Sequence, residues 1–272
     1  MRATFVQQGV TILLLAGWCL ITTGLGRLCL VVTAIRLASR GEELFLSFGI
    51  GIAITGYAVF LLGVAGALDP SGISLLLISL ALLSAAGWSR TLHTVSAAPA
   101  GCSSWNIPAA VLLGILLLAS FLLVLTPETG KDALIYHLAV PKLYLRQHGF
   151  YFIPGNVFAG YPLLGEMHYV LALFLQNDIL AKAMNYAVLC GILLGMGLLG
   201  RFVLREHAFP AVSMLIFLSI PSVFATSHVA YNDLFVTFFT LAAIYAFLRW
   251  SEHHLIAWHI LCGVFTGSAA AC

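Results

Sequence analysis

The sequence predicts an all-α, polytopic membrane protein, and three observations make that prediction. Of 272 residues, 61% are hydrophobic and only 8% are charged, whereas a water-soluble domain carries about 25% charged residues. The mean hydropathy is +1.05. Apolar runs of about 20 residues, the length that crosses about 30 Å of hydrocarbon, recur between short polar breaks.

Taken in order, the runs give about eight crossings. The first, 6–26, follows only Arg2 and has no small-x-small cleavage site in a polar region, so it reads as a retained helix rather than a removable leader. Runs at 44–67 and 73–88 flank Asp69-Pro70-Ser71-Gly72, and 106–126 follows the break that begins at Arg90. After one long interruption, 127–178, the runs resume at 179–200, 208–227, 234–250 and 255–272. Residues 1–105 thus form N-terminal membrane helices of unassigned role, and 106–272 a second unit carrying the large loop. The six cysteines (19, 29, 102, 190, 262 and 272) are scattered without C-x-x-C spacing, which points to neither a metal site nor a disulfide framework. Internal repeats, phosphate-loop glycines, dinucleotide fingerprints and basic tracts are absent from the sequence, which sets aside nucleotide and nucleic-acid binding.

Lysine and arginine fix the expected orientation, because short cytoplasmic loops hold their excess. Arg27, Arg36 and Arg40 mark one break as cytoplasmic, and Arg90, Arg201, Arg205 and Arg249 mark others. Parity then puts the N-terminus and loop 127–178 outside. The run 161–176 tests this scheme. At 16 residues it reaches about 24 Å, and it carries Glu166 and His168. If it crossed, the basic breaks would invert, so it is expected to be a juxtamembrane or half-buried helix at the outer surface.

The chemistry gathers in that loop. Seven of the twelve Lys and Arg residues fall in cytoplasmic breaks, and four of the other five (Lys131, Lys142, Arg146 and Lys182) lie in or beside the outer loop. Positive charge against the topological bias points to an anionic ligand, and at a membrane surface the anions are lipid phosphates. Lys142 and Arg146, four apart, point the same way on a helix and together suit one phosphate. The plain alternative is contact with headgroups or snorkelling. Asp132 is a candidate general base or hard-cation ligand, or else a helix cap. Asp233, between two apolar runs, has the same two readings. Asp132 and Tyr136 share a helical face, with Pro141 expected to kink or end that helix. Glu166, His137 and Tyr136 are further candidates for substrate contact. His137, His168 and His228 show no paired zinc spacing.

The segment KDALIYHLAVPKLYLRQHGFYFIPGNVFAGYPLLGEMHY, followed about 55 residues later by AYNDL and then FLRW, resembles bacterial polyprenyl-phosphate-dependent glycosyltransferases of the GT-C superfamily, similar to the protein mannosyltransferase and aminoarabinose transferase group. The resemblance runs from about Asn106 to the end of the chain. It implies an inverting hexosyl or pentosyl transferase in the bacterial cytoplasmic membrane. The donor would be a polyprenyl-phosphate-linked sugar, and the acceptor a glycan, lipid or protein at the outer face. It also implies that Asp132 and Asp233 are the two external acidic residues, and that Lys131, Lys142 and Arg146 face the lipid phosphate. The family's frequent paired acidic signature is reduced here to Lys131-Asp132, with Glu128 four residues earlier. No cofactor is fixed by the residues; Mg²⁺ or Mn²⁺, if either is used, would sit on Asp132 and Asp233. Family members continue through further crossings, so the chain is expected to be C-terminally truncated. Two other classes remain open: a secondary transporter, which should have paired half-repeats and broken helices at the midplane, and a non-catalytic membrane assembly subunit.

Overall fold

The computed structural model describes residues 2–33, 35, 37–90, 106–204 and 210–272. It is 82% helical, with no strand among the described residues. Among the described residues, six helices are long and apolar enough to cross a membrane. They are α1 (Arg2–Thr33), α2 (Arg40–Val64), α3 (Pro70–Trp88), α4 (Asn106–Val124), and later α7 (Asp178–Leu204) and α10 (Asp233–His253). The interruption between α4 and α7 holds two shorter helices, α5 (Ala139–Gln147) and α6 (Leu164–Leu175). The region expected to cross at 208–227 is instead two pieces, α8 (Pro210–Ser219) and α9 (Pro221–Thr226), and the chain closes with α11 (Ile256–Ala270). Pro221 explains the break, since it has no N–H to continue the ladder and its ring crowds the carbonyl four residues back.

Local sequence sets the helix ends. The Ser39 hydroxyl accepts the Glu42 N–H at 3.1 Å to cap α2, with Glu42 and Glu43 in its first turn. Asp69 caps α3 through the Ser71 N–H, and Pro70 takes the first helical position. Small residues set the close crossing of α1 and α2. A Cβ added at Gly26 would strike the Ser47 carbonyl, and one at Gly51 would strike the Thr22 carbonyl, so each backbone rests on the other.

The helix ends sort into two faces. On one, Thr11 of α1 donates to Gln176 at 2.9 Å, Gln8 to the Leu125 carbonyl at 3.4 Å, and the Leu68 N–H to the His148 carbonyl at 2.9 Å. On the other, Arg27 pairs with Glu43 and lies over the Trp88 ring at 4.7 Å, while Arg249 pairs with Glu42 at 2.9 Å. The first face therefore gathers the start of α1, the α2–α3 link, the end of α4 and the long loop. This alternation is the one that parity requires. Two details differ from the expectation. Helix α1 runs on to Thr33, which puts Arg27 inside a helix rather than in a break. Helix α6 does not lie on the surface, because every residue from Leu164 to Ala172 is buried. Inside the protein, Glu166 Oε1 meets His137 and His168 Nδ1 accepts from Trp18.

Candidate functional site

The loop face is built up from the turn after α4. The chain leaves α4 through Pro127–Gly130, then winds as a π-helical turn over Ala133–His137, in which the Leu138 N–H reaches back to the Ala133 carbonyl at 2.8 Å. Pro141 accounts for the change of winding: lacking an N–H, it cannot bond the His137 carbonyl, and α5 restarts at Ala139 with the proline in its first turn. The proline thus interrupts the Asp132–Tyr136 winding, as expected, and sits in the first turn of the helix that follows. Helix α5 stops where His148 takes a left-handed conformation, φ 57°.

The π turn aims His137 inward. Its Nδ1 lies 2.5 Å from Glu166 Oε1, and both side chains are buried. Glu166 comes from the first turn of α6, and its Oε2 has no hydrogen-bond partner meeting normal geometry. Burial raises the Glu166 pKa above the ordinary value, against the opposing pull of His137 and the neighbouring Asn232. Tyr136, next along the turn, is raised by burial first and then by Asp132, Asp233, Glu166 and Tyr231. The charges of all three sequence-predicted carboxylates thus act on one phenol.

Neither aspartate is a cap. Asp132 is half-buried and makes no side-chain capping bond. Asp233 is exposed in the first turn of α10, after the Asn232 cap position, where the positive end of the helix dipole favours a carboxylate. Lys131, Lys142 and Arg146 are exposed and form no ion pair among the described residues. Lys142 and Arg146 share one face of α5, as their spacing predicts. Among the described residues no three His, Cys, Asp or Glu side chains come together to hold a metal ion.

Lys182, counted with the outer cations by sequence, has a different task. It is 2% exposed, and its ammonium donates to the carbonyls of Leu123 at 3.0 Å, Thr126 at 2.9 Å and Pro127 at 3.4 Å. It closes the C-terminal end of α4, where carbonyls lack helical partners and a cation is favoured. Asn185 does the same for α9, donating to Thr226 and Val229 carbonyls at 2.9 and 2.7 Å. His168 is a core residue: its Nδ1 accepts from Trp18 at 3.3 Å, its ring stacks on Phe235, and burial pushes its pKa down to about 3.

No family model, curated protein or solved structure matches this chain. The site therefore rests on its own geometry.

Sequence reasoning did not single out Tyr231, Asn232 or Phe158. Tyr231 lies 5.3 Å from the His137 ring and its hydroxyl accepts the Asp132 N–H at 3.4 Å. Phe158 stacks on Tyr136 at 4.4 Å and meets Tyr161 edge-on at 5.7 Å. This aromatic row leads to a groove of about 440 Å³ lined by Tyr57, Phe60, Tyr144, Phe150, Tyr161 and Met167. The dense aromatic spacing of FYFIPGNVFAGY was the available signal. The arrangement offers carboxylates, an apolar groove reached through the aromatic row, and exposed cations on α5.

Proposed function

We propose that the protein is a membrane glycosyltransferase that moves a sugar from a polyprenyl-phosphate carrier to an acceptor at the outer face of the cytoplasmic membrane. The observation that carries this reading is that the turn holding Asp132, Tyr136 and the buried His137–Glu166 pair stacks through Tyr136 on Phe158, which meets Tyr161 of an aromatic groove. A lipid-linked donor needs those two environments side by side. Its isoprenoid tail is apolar and its head is a polar phosphosugar. The groove suits the tail, and Lys142 and Arg146 suit the phosphate.

In the proposed reaction the acceptor hydroxyl or amine attacks the anomeric carbon while Asp132 takes its proton. The new bond forms at that carbon as the bond to the carrier's phosphate oxygen breaks. The lipid phosphate leaves with the electron pair, and the configuration inverts. Cationic side chains stabilise charge building on the departing oxygen. Asp233 and the buried His137–Glu166 pair line the sugar's side of the site. The excess of Lys and Arg on the opposite face supports the outward orientation of the loop.

The transporter reading has one observation in its favour, the helix break at Pro221. The carboxylates, however, cluster on the loop face and not beside that break. The test is Asp132→Asn assayed for sugar transfer in reconstituted membranes. Loss of transfer with an unchanged elution profile supports the proposal, and undiminished transfer removes Asp132 from it.

A further inference from the structure

Glu128 occupies an unusual position for a carboxylate. It sits in the turn after α4 with 7% exposure. Its Oε1 accepts the Thr129 and Gly130 N–H groups at 2.8 and 2.6 Å, and its Oε2 accepts the Ala230 N–H at 2.6 Å, from a loop 102 residues away. Its own N–H donates to the Asp178 carboxylate at 2.7 Å. One side chain thus fills three backbone donors from two loops, and a neutral side chain of the same shape cannot do so: a glutamine would set its NH₂ against at least one of those N–H groups. Two residues after Gly130 comes Asp132, and three after Ala230 comes Asp233. Tyr231 adds a second strut through the Asp132 N–H.

We infer that Glu128 is a positioning residue, a clasp that holds loops 127–132 and 227–232 together so that Asp132 and Asp233 act as one unit. The importance of that unit rests on the glycosyl-transfer reading; the clasp itself does not. By sequence Glu128 stands four residues before the reduced Lys131-Asp132 signature, but its oxygens are committed to backbone donors, which leaves Asp132 and Asp233 to face substrate.

The geometry supplies its own probe. A Cβ added at Gly130 would lie 3.4 Å from Val229 Cβ, close to the roughly 3.5–4.5 Å that a disulfide spans. In a Gly130→Cys/Val229→Cys protein, mild oxidation should join the two loops, identified by mass spectrometry of the linked peptides because native cysteines are present. Gly130→Cys alone controls for crowding against Glu128 Oε1 at 3.0 Å. Adding Glu128→Gln should slow bridging several-fold; bridging at the same rate overturns the clasp. In the transfer assay, Glu128→Gln should lower kcat by about a hundredfold, the cost of a displacement on the order of 1 Å, with KM for the lipid donor unchanged, because the groove and α5 cations are untouched. Bridging the loops covalently should restore kcat in the Glu128→Gln protein, and a bridged protein that stays inactive overturns the positioning role. If the Glu128→Gln protein does not elute as a single species, Glu128→Asp, which keeps the charge and shortens the reach, is read by the same criteria. A wild-type protein that transfers no sugar overturns the enzymatic reading, while the bridging rates still decide the clasp.

Discussion

Replacing Lys182 by methionine separates two accounts of a buried cation. The sequence places this lysine with an external cluster suited to anions. The structure turns its ammonium onto the end of α4, with two acceptors at 3.0 and 2.9 Å and two more at 3.4 Å. A hydrogen bond to a charged group contributes about 1.5–3 kcal/mol. The two short bonds set the gross gain, and desolvation of the ammonium offsets part of it, so the net loss in Lys182→Met should be about 2–4 kcal/mol. For a chain of this size about 1 kcal/mol shifts Tm by about 2–4 °C, so a loss of about 3 kcal/mol lowers Tm by about 6–12 °C. Tryptophan fluorescence during thermal unfolding in detergent measures this. Lys142→Met, on the exposed face of α5, is the control and should stay within about 0.5 kcal/mol of wild type. A Lys182→Met protein as stable as wild type would refute the reasoning, and one that kept its stability while losing anionic lipid would restore the sequence-based reading.

Two further outcomes follow from buried charges. Glu42, fully buried, is held by Arg249 at 2.9 Å and the Tyr245 hydroxyl at 2.7 Å, so Arg249→Leu should cost about 3–5 kcal/mol by leaving an uncompensated carboxylate. Adding Glu42→Gln should recover part of that in the same melting assay, and a double variant no more stable than Arg249→Leu would show that the pair is not the cause. Burial raises the Glu166 pKa above its ordinary 4.5. Its contribution to stability is therefore complete below that value and is lost as pH rises through the folded-state pKa. Glu166→Gln, which mimics the protonated carboxyl, should flatten that limb of Tm against pH; an unchanged limb would assign it to another group.

Much of the architecture was legible because bilayer thickness imposes length on apolar runs. The 179–200 and 234–250 runs became α7 and α10 with only a few residues added at their ends. Hydropathy is blind to Pro221, whose missing N–H splits the 208–227 run into α8 and α9 without changing its polarity. Parity assigned α6 to the loop's side of the protein, yet its depth was hidden: Glu166 and His168 look costly inside a protein until His137 and Trp18, from distant segments, are seen to partner Glu166 Oε1 and His168 Nδ1. The same long-range pairing concealed Lys182 and Glu128. A charge count along the chain records where a cation or carboxylate lies, but not that backbone carbonyls or N–H groups consume it. Asp132, Tyr136 and His137 stood out because the sequence crowds them into one short polar stretch. Tyr231 and Asn232 belong to the site only through the loop that Glu128 clasps.

The central claim is that the groove and the carboxylates serve a lipid carrying a sugar on phosphate. The most direct measurement is mass spectrometry of lipids that copurify with the protein from its native membrane, compared with a variant in which Lys142 and Arg146 are both changed to methionine. The account predicts a polyprenyl-phosphate-linked sugar enriched over the bulk membrane in the wild type and depleted in the variant. Bulk phospholipids alone, in the same proportions from both proteins, would contradict it.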